Sequence, residues 1–256
     1  LCWLSNFNQN GENVLFYLSV LLAYGLFLYY FLLKNNLLLE KLRPGNRAVL
    51  ITAVVCGVVS ATVISIITCA RYLSFSSTNF DFGIFSNMFY HMKTTGLPLV
   101  TSERDVLLSH FVVHLSPICY LLLPFYFLFP SPLTLQIGQA VILASGIIPT
   151  VLLCRHFKLS SKLTMLVSVI YAFYPAISTG CFYDFHENCF LLPLLLWTFY
   201  FFEKEKYLPM YIFAVAVLMV KEDAAVYIIL FALYVFFSKK KFLHGGIMAV
   251  GAIVGF

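Results

Sequence analysis

Long apolar runs separated by short polar stretches organise this chain. A helix needs roughly 17 to 25 predominantly apolar residues to cross a bilayer, and by that measure the pattern predicts spans over Val14 to Leu33 and Ala48 to Ala70. Further apolar runs cover Leu133 to Cys154, Leu163 to Gly180, Phe190 to Phe202, Tyr207 to Val220 and Ala224 to Ser238, and another opens at Gly245. Several are short for a full crossing, so they are expected to thin the bilayer locally or to end below its surface. The first run is not a signal peptide, because no positive stretch precedes it and no small-residue cleavage site follows. The predicted fold class is all-α, a polytopic transmembrane helical protein. The chain starts at Leu1 and stops at Phe256 inside a fresh apolar run, which reads as a piece of something longer.

One run decides the topology. Phe111 to Pro130 is apolar and long enough to span, yet it carries Pro117, Pro124 and Pro130, and proline inside a helix removes a hydrogen bond and kinks the axis. Lys and Arg concentrate in cytoplasmic loops. If the run does not cross, Lys34, Lys41, Arg43, Arg47, Arg155, Lys158, Lys162, Lys204, Lys206, Lys239, Lys240 and Lys241 share one side, 12 of the 16 basic residues. If it crosses, the clusters at Arg155, Lys204 and Lys239 flip outward together. The non-crossing arrangement is therefore expected. It leaves Glu203 and Glu205 beside lysines as ordinary loop solvation, and gathers Asp81, Glu103, Asp105, Asp184, Glu187, Glu222 and Asp223 on the outer side.

Composition agrees with a membrane protein: 61% of residues are hydrophobic and 11% charged, whereas about a quarter are charged in soluble domains. Ionisable groups near hydrocarbon cost a few kcal/mol each, so the outer cluster suggests a site. Lys221, Glu222 and Asp223 carry most weight, since they interrupt two apolar halves between Tyr207 and Ser238. Asp184 and Glu187, three apart, could share a helical face with His186 beside them. A divalent cation is the candidate cofactor there, with Asp184, His186 and Glu187 as ligands. His110 and His114 lie four apart, but Phe111 stands where the HExxH metalloprotease pattern needs glutamate, so interfacial hydrogen bonding is the stronger expectation for them.

The stretches "NFDFGIFSNMFY", "TSERDVLLSHFVVHLSPICYLLLPFY", "PSPLTLQ", "FYDFHEN" and "MVKEDAAVY" together resemble an uncharacterised bacterial family of multi-pass membrane proteins, over about Phe80 to Tyr227. The layout also resembles the glycosyltransferase C (GT-C) fold of polyprenyl-phosphate-sugar-dependent transferases. That resemblance implies juxtamembrane helices in a long outer loop, an extra N-terminal helix and cytoplasmic loop over residues 1–47, and a transferase core over 48–256. It implies Asp81 as catalytic base and Asp184 or Glu187 as the second acidic site. Arg104, His110, His114, His186, Lys221, Glu222 and Asp223 become the phosphate and substrate contacts. The sequence departs from the class in having "KEDA" where Lys-Gly-Pro is common, and in the histidine and second carboxylate of "DFHEN".

Each assignment has a plainer counterpart. Asp81 can simply cap a helix, Lys221 can pair with Glu222 or Asp223, and Glu103, Arg104 and Asp105 can form a solvated turn. Cys181 and Cys189 flank "FYDFHEN" and a disulfide is conceivable. The expected partners are membrane lipid and a polyprenyl-phosphate-linked sugar; the few outer basic residues argue against nucleic acid, and the pattern does not specify an oligomeric state. A transporter or lipid flippase is the alternative, since it too places ionisable groups within the bilayer. An envelope assembly protein is the third possibility.

Overall fold

The computed structural model describes residues 44–77, 81–104, 106–175, 177 and 184–255, with isolated helical positions between 22 and 30. The rest of the predicted first span, Asp105 and Cys181 lie outside the described residues. The chain divides into two compact units, Leu1–Gly45 and Asn46–Phe256; the helices described below all belong to the second.

The protein is all-α. Helix α1 (Asn46–Leu73) is long and apolar enough to cross a membrane, as is the pair α4 (Pro132–Ser145) and α5 (Ile147–His156) taken end to end. Val49, Ala53, Cys56, Ser60, Ile64 and Thr68 are buried. Their spacing of three and four makes one stripe along α1, and that stripe packs on α4 and on α6 (Ser161–Phe173). The remaining faces of α1 carry exposed valines and isoleucines, as a lipid-facing helix should. Shorter apolar helices complete the bundle: α7 (Leu191–Glu203), α8 (Tyr207–Leu218), α9 (Ala224–Leu233) and α10 (Phe242–Gly255). At 1.5 Å per residue, the 13 residues of α7 reach about 20 Å, less than a hydrocarbon core of about 30 Å.

The α4–α5 joint depends on a glycine. Tyr171 of α6 donates its hydroxyl to the Leu143 carbonyl at 2.8 Å, and a Cβ at Gly146 would collide with the same hydroxyl and ring. Upstream, Ser131 caps α4 by accepting from the Leu133 N–H, with Pro132 opening the helix as that position favours.

Phe111 to Pro130 is not a continuous helix. It breaks into 3-10 turns at His110–Val112 and Pro117–Leu121 and the six-residue α3 (Leu123–Leu128), which is what its prolines and missing donors dictate. The Ile118 N–H donates to the Met219 carbonyl at the end of α8, and Leu122 packs onto Gly138 of α4. Before it, α2 (Asp81–Thr95) buries Phe82, Phe85, Met88, Phe89 and Met92 along one face. A short antiparallel ladder comes next, β1 (Leu99–Val100) with β2 (Leu108–Ser109), pairing Leu99 with Ser109. Asn87 Oδ1 accepts from the Thr101 N–H at 2.9 Å, tying the loop to α2.

The helices thus have two chemically distinct ends. At the basic end, Glu203 is not solvated loop, contrary to the expectation for it. Its side chain is 5% exposed and meets Lys239 (3.0 Å), the Tyr234 hydroxyl (3.1 Å) and His156 (3.6 Å). Glu205 pairs with Lys241 at 3.0 Å in the open. At the other, histidine-rich end stand His110, His114, His186, Glu187 and Lys221.

Gly146→Ala places a methyl group against Tyr171 and is expected to lower unfolding stability by about 1–3 kcal/mol, read as a lower midpoint of thermal unfolding in detergent. Gly57→Ala, whose new Cβ meets Ile147 at an ordinary 3.5 Å, should leave that midpoint in place.

Candidate functional site

"DFHEN" enters α7 through an extended stretch and a single 3-10 turn. His186 is extended (φ −145°, ψ 143°), and Glu187–Phe190 forms the turn, with Cys189 N–H donating to the His186 carbonyl at 3.1 Å. This geometry turns Glu187 inward, 1% exposed, while Asn188 points outward. His186 Nδ1 stands 2.9 Å from Glu187 Oε2 and Lys221 Nζ 3.8 Å from Oε1, ion-pair distances without hydrogen-bond alignment. Lys221 comes from the α8–α9 loop, so two remote segments meet on one buried carboxylate. Cys119, fully buried on the proline-rich segment, feels the same charge: burial first, and the Glu187 carboxylate second, push its thiol far up.

Two further glutamate–histidine pairs surround this one. Glu103 Oε2 lies 3.0 Å from His110 Nδ1, both nearly enclosed at 8% and 3% exposed side chain. Glu222 Oε1 lies 2.8 Å from His114 Nδ1, and Glu222 Oε2 accepts the Leu115 N–H at 3.3 Å. The His110 and His114 rings are 6.0 Å apart. In all three pairs the carboxylate lies nearest Nδ1; for His110 and His114 the contact is a hydrogen bond, and a carboxylate on one ring nitrogen fixes the tautomer and the ring direction. His110 Nε2 is buried with no hydrogen-bond partner among the described residues. Burial raises Glu222, but hydrogen bonds from His114 and from backbone N–H groups, with the His114 charge, outweigh it and hold the carboxyl below its usual range.

Phe85 is the hub. Its ring meets His110 at 5.4 Å, Phe185 at 5.2 Å and His186 at 5.5 Å, all edge to face. Asp81 opens α2, half-buried, one turn before Phe85. Residues four apart on a helix have Cβ atoms about 5–6 Å apart on one face, so Asp81 and Phe85 share one face of α2. The carboxylate also sits favourably at the positive end of the helix dipole, which is the capping role weighed against a chemical one.

The structure therefore brings together His110, His114, His186, Glu187, Lys221 and Glu222, with Asp81 one turn before Phe85 and Asp184 buried three residues before the turn. Arg104 is exposed and makes no ion pair among the described residues, and Asp223 is exposed at the head of α9. Among the described residues no three His, Cys, Asp or Glu side chains form a group that could hold a metal ion; Glu187 faces His186 and Lys221 instead. Glu103 and Cys119 are not among the site residues that the sequence predicts. Neither is the buried pair Gln136 and Gln139, joined at 2.7 Å on α4, a helix that packs on the Glu187 turn. Two glutamines in an apolar helix are the available signal.

An all-α membrane protein with a histidine- and glutamate-lined polar end is what this arrangement defines. The chain belongs to the family described as predicted membrane protein (DUF2079), whose model matches residues 71–256. The match opens at the end of α1 and takes in every site residue. The description names a membrane and no activity, and no curated protein and no solved structure matches the chain.

Removing Lys221 leaves Glu187 with His186 alone. Lys221→Met is expected to cost about 3 kcal/mol of unfolding stability, and adding Glu187→Leu to recover most of it, because breaking a buried pair costs more than replacing both partners; a denaturation double-mutant cycle checks this. The folded carboxyl of Glu222 titrates below the ordinary value of 4.5. Its contribution is thus complete above that value and lost as pH falls through the depressed one. In a stability titration from about pH 6 to about pH 3, the gap between wild type and Glu222→Gln should shrink toward zero.

Proposed function

We propose that the protein is a multi-pass membrane sugar transferase, taking its sugar from a polyprenyl-phosphate-type donor at the outer face of the cytoplasmic membrane. The bias of Lys and Arg toward the cytoplasm directs the end bearing Lys204, Lys206 and Lys239 inward and the histidine-rich end outward. The observation that carries the proposal is Phe85, whose ring joins the helix of Asp81 to both His110 and His186.

Asp81, half-buried and without an ion pair among the described residues, serves as the base. It takes the proton of an acceptor hydroxyl as that oxygen bonds to the anomeric carbon, while the bond from that carbon to the donor phosphate oxygen breaks and the polyprenyl phosphate leaves with the electron pair. Lys221 faces the leaving anion, together with His110, His114 and His186 in their imidazolium form, whose Nε2–H is then a donor; preformed donors aimed at the developing charge lower the barrier. Glu187 is a positioning residue. Its carboxylate is engaged by His186 and Lys221, which suits it to hold those two groups rather than to accept a proton. Glu103 holds His110.

Asp81→Asn in the full-length protein should reduce transfer from a radiolabelled polyprenyl-phosphate sugar by about 10²–10⁴-fold with an unchanged thermal unfolding midpoint. Mass spectrometry of the purified wild type should find a polyprenyl carrier. Donor movement across vesicles without turnover, unaffected by Asp81→Asn, would instead identify a transporter or flippase.

A further inference from the structure

Away from the histidine-rich end, a groove of about 500 Å³ runs between α1 and the α4–α5 pair. Ala53, Gly57 and Ala61 recur every fourth residue along its α1 wall, and Ala144, Ser145 and Ile148 face them. Small side chains keep the floor low, and the rim is apolar and outward-facing, with Val54 55% and Ile148 53% exposed. Both walls belong to the two stretches long enough to cross a membrane, so the groove opens toward lipid. It ends in a cation: Arg155, in the last turn of α5, lines it directly. Arg47 lies three residues before Leu50, another lining residue, and is therefore on the same face of α1.

Lys239 and Lys241 have carboxylate partners at 3.0 Å, whereas Arg47 and Arg155 are exposed and make no ion pair among the described residues. Lys158, at the same end, is also exposed and makes no ion pair among the described residues, but it does not line the groove. A hydrocarbon-lined slot with two unpaired guanidinium groups at one end complements a molecule with an apolar tail and an anionic head. Arginine forks match phosphate oxygens in pairs. We propose that the groove retains one anionic phospholipid from the leaflet at the basic end, its acyl chain along Ala53, Gly57 and Ala61 and its head between Arg47 and Arg155. The site is independent of the chemistry assigned to Asp81.

The test is native mass spectrometry of the full-length protein reconstituted with equal phosphatidylglycerol and phosphatidylcholine, counting lipid retained after release from the bilayer. Wild type is expected to keep one phosphatidylglycerol. Arg155→Gln and Arg47→Gln should each reduce the preference about fivefold, the worth of one arginine at an anionic surface. Gly57→Leu, whose Cβ fits but whose branches fill the slot, should abolish retention. Lys158→Gln, a charge removed at the same end outside the groove, should change nothing. Equal retention of phosphatidylcholine, or a Lys158→Gln effect as large as that of Arg155→Gln, would overturn the proposal. So would a dimer, or a bound segment of the chain itself, occupying the groove in place of lipid and released by Gly57→Leu.

Discussion

A buried carboxylate in a membrane protein must be met by positive charge, and Glu187 imposes that demand on the whole histidine-rich end. At 1% exposure it has no water to solvate it, and an unpaired ion there would cost several kcal/mol. Its two partners come from different places: His186 is its neighbour, while the Lys221 cation arrives only if α8 runs back beside α7 and turns where α7 began. The antiparallel packing of α7 on α8 is therefore matched to one ion contact. The Met219 carbonyl, two residues before Lys221, also receives the Ile118 N–H, so the same loop anchors the proline-rich segment and brings Cys119 against the carboxylate.

Around this contact the polar groups are arranged in pairs. Three histidines each turn Nδ1 to a glutamate, and the glutamates come from a loop, a turn and a helix junction. The hydrogen bonds to Glu103 and Glu222 restrain the His110 and His114 rings and leave one ring edge of each for something else. Phe85 and Phe185 supply the apolar walls between the pairs. Polar groups held in this way need little reorganisation when a charged ligand enters, which is the physical basis for reading the end as a site and not merely as loop ends meeting water.

How much of this the sequence discloses depends on whether the signal is periodic. Ala48 to Ala70 and Tyr207 to Val220 stand within a few residues of α1 and α8 because apolar runs ended by charge define helices in lipid. The broken course of Phe111 to Pro130 is legible from its prolines. His110, His114, His186, Lys221 and Glu222 are legible as polar residues in apolar surroundings, though not as pairs. Glu103 is not, because only the ladder of β1 with β2 turns it back onto His110, and two-residue strands leave no periodic trace. Arg104, its neighbour, draws attention by charge and faces outward.

Glu203 shows why charge patterning alone misleads at the basic end. A carboxylate at the last residue of α7 lies against the negative end of the helix dipole, so it needs more compensation than a glutamate elsewhere. Lys239 and Tyr234 provide it together, with His156 behind. Tyr234 and Lys239 are five apart, and in an α-helix at 3.6 residues per turn they would diverge by about 140°. Tyr234–Ser238 is wound as a π-helix with Lys239 as its C-cap, and i→i+5 bonding lessens that divergence. The wide turn is thus the geometric consequence of satisfying one buried carboxylate from a single short stretch. Helix α7 is in this way held by a compensated glutamate at each end, Glu187 and Glu203, which fixes a helix too short to be positioned by its apolar length.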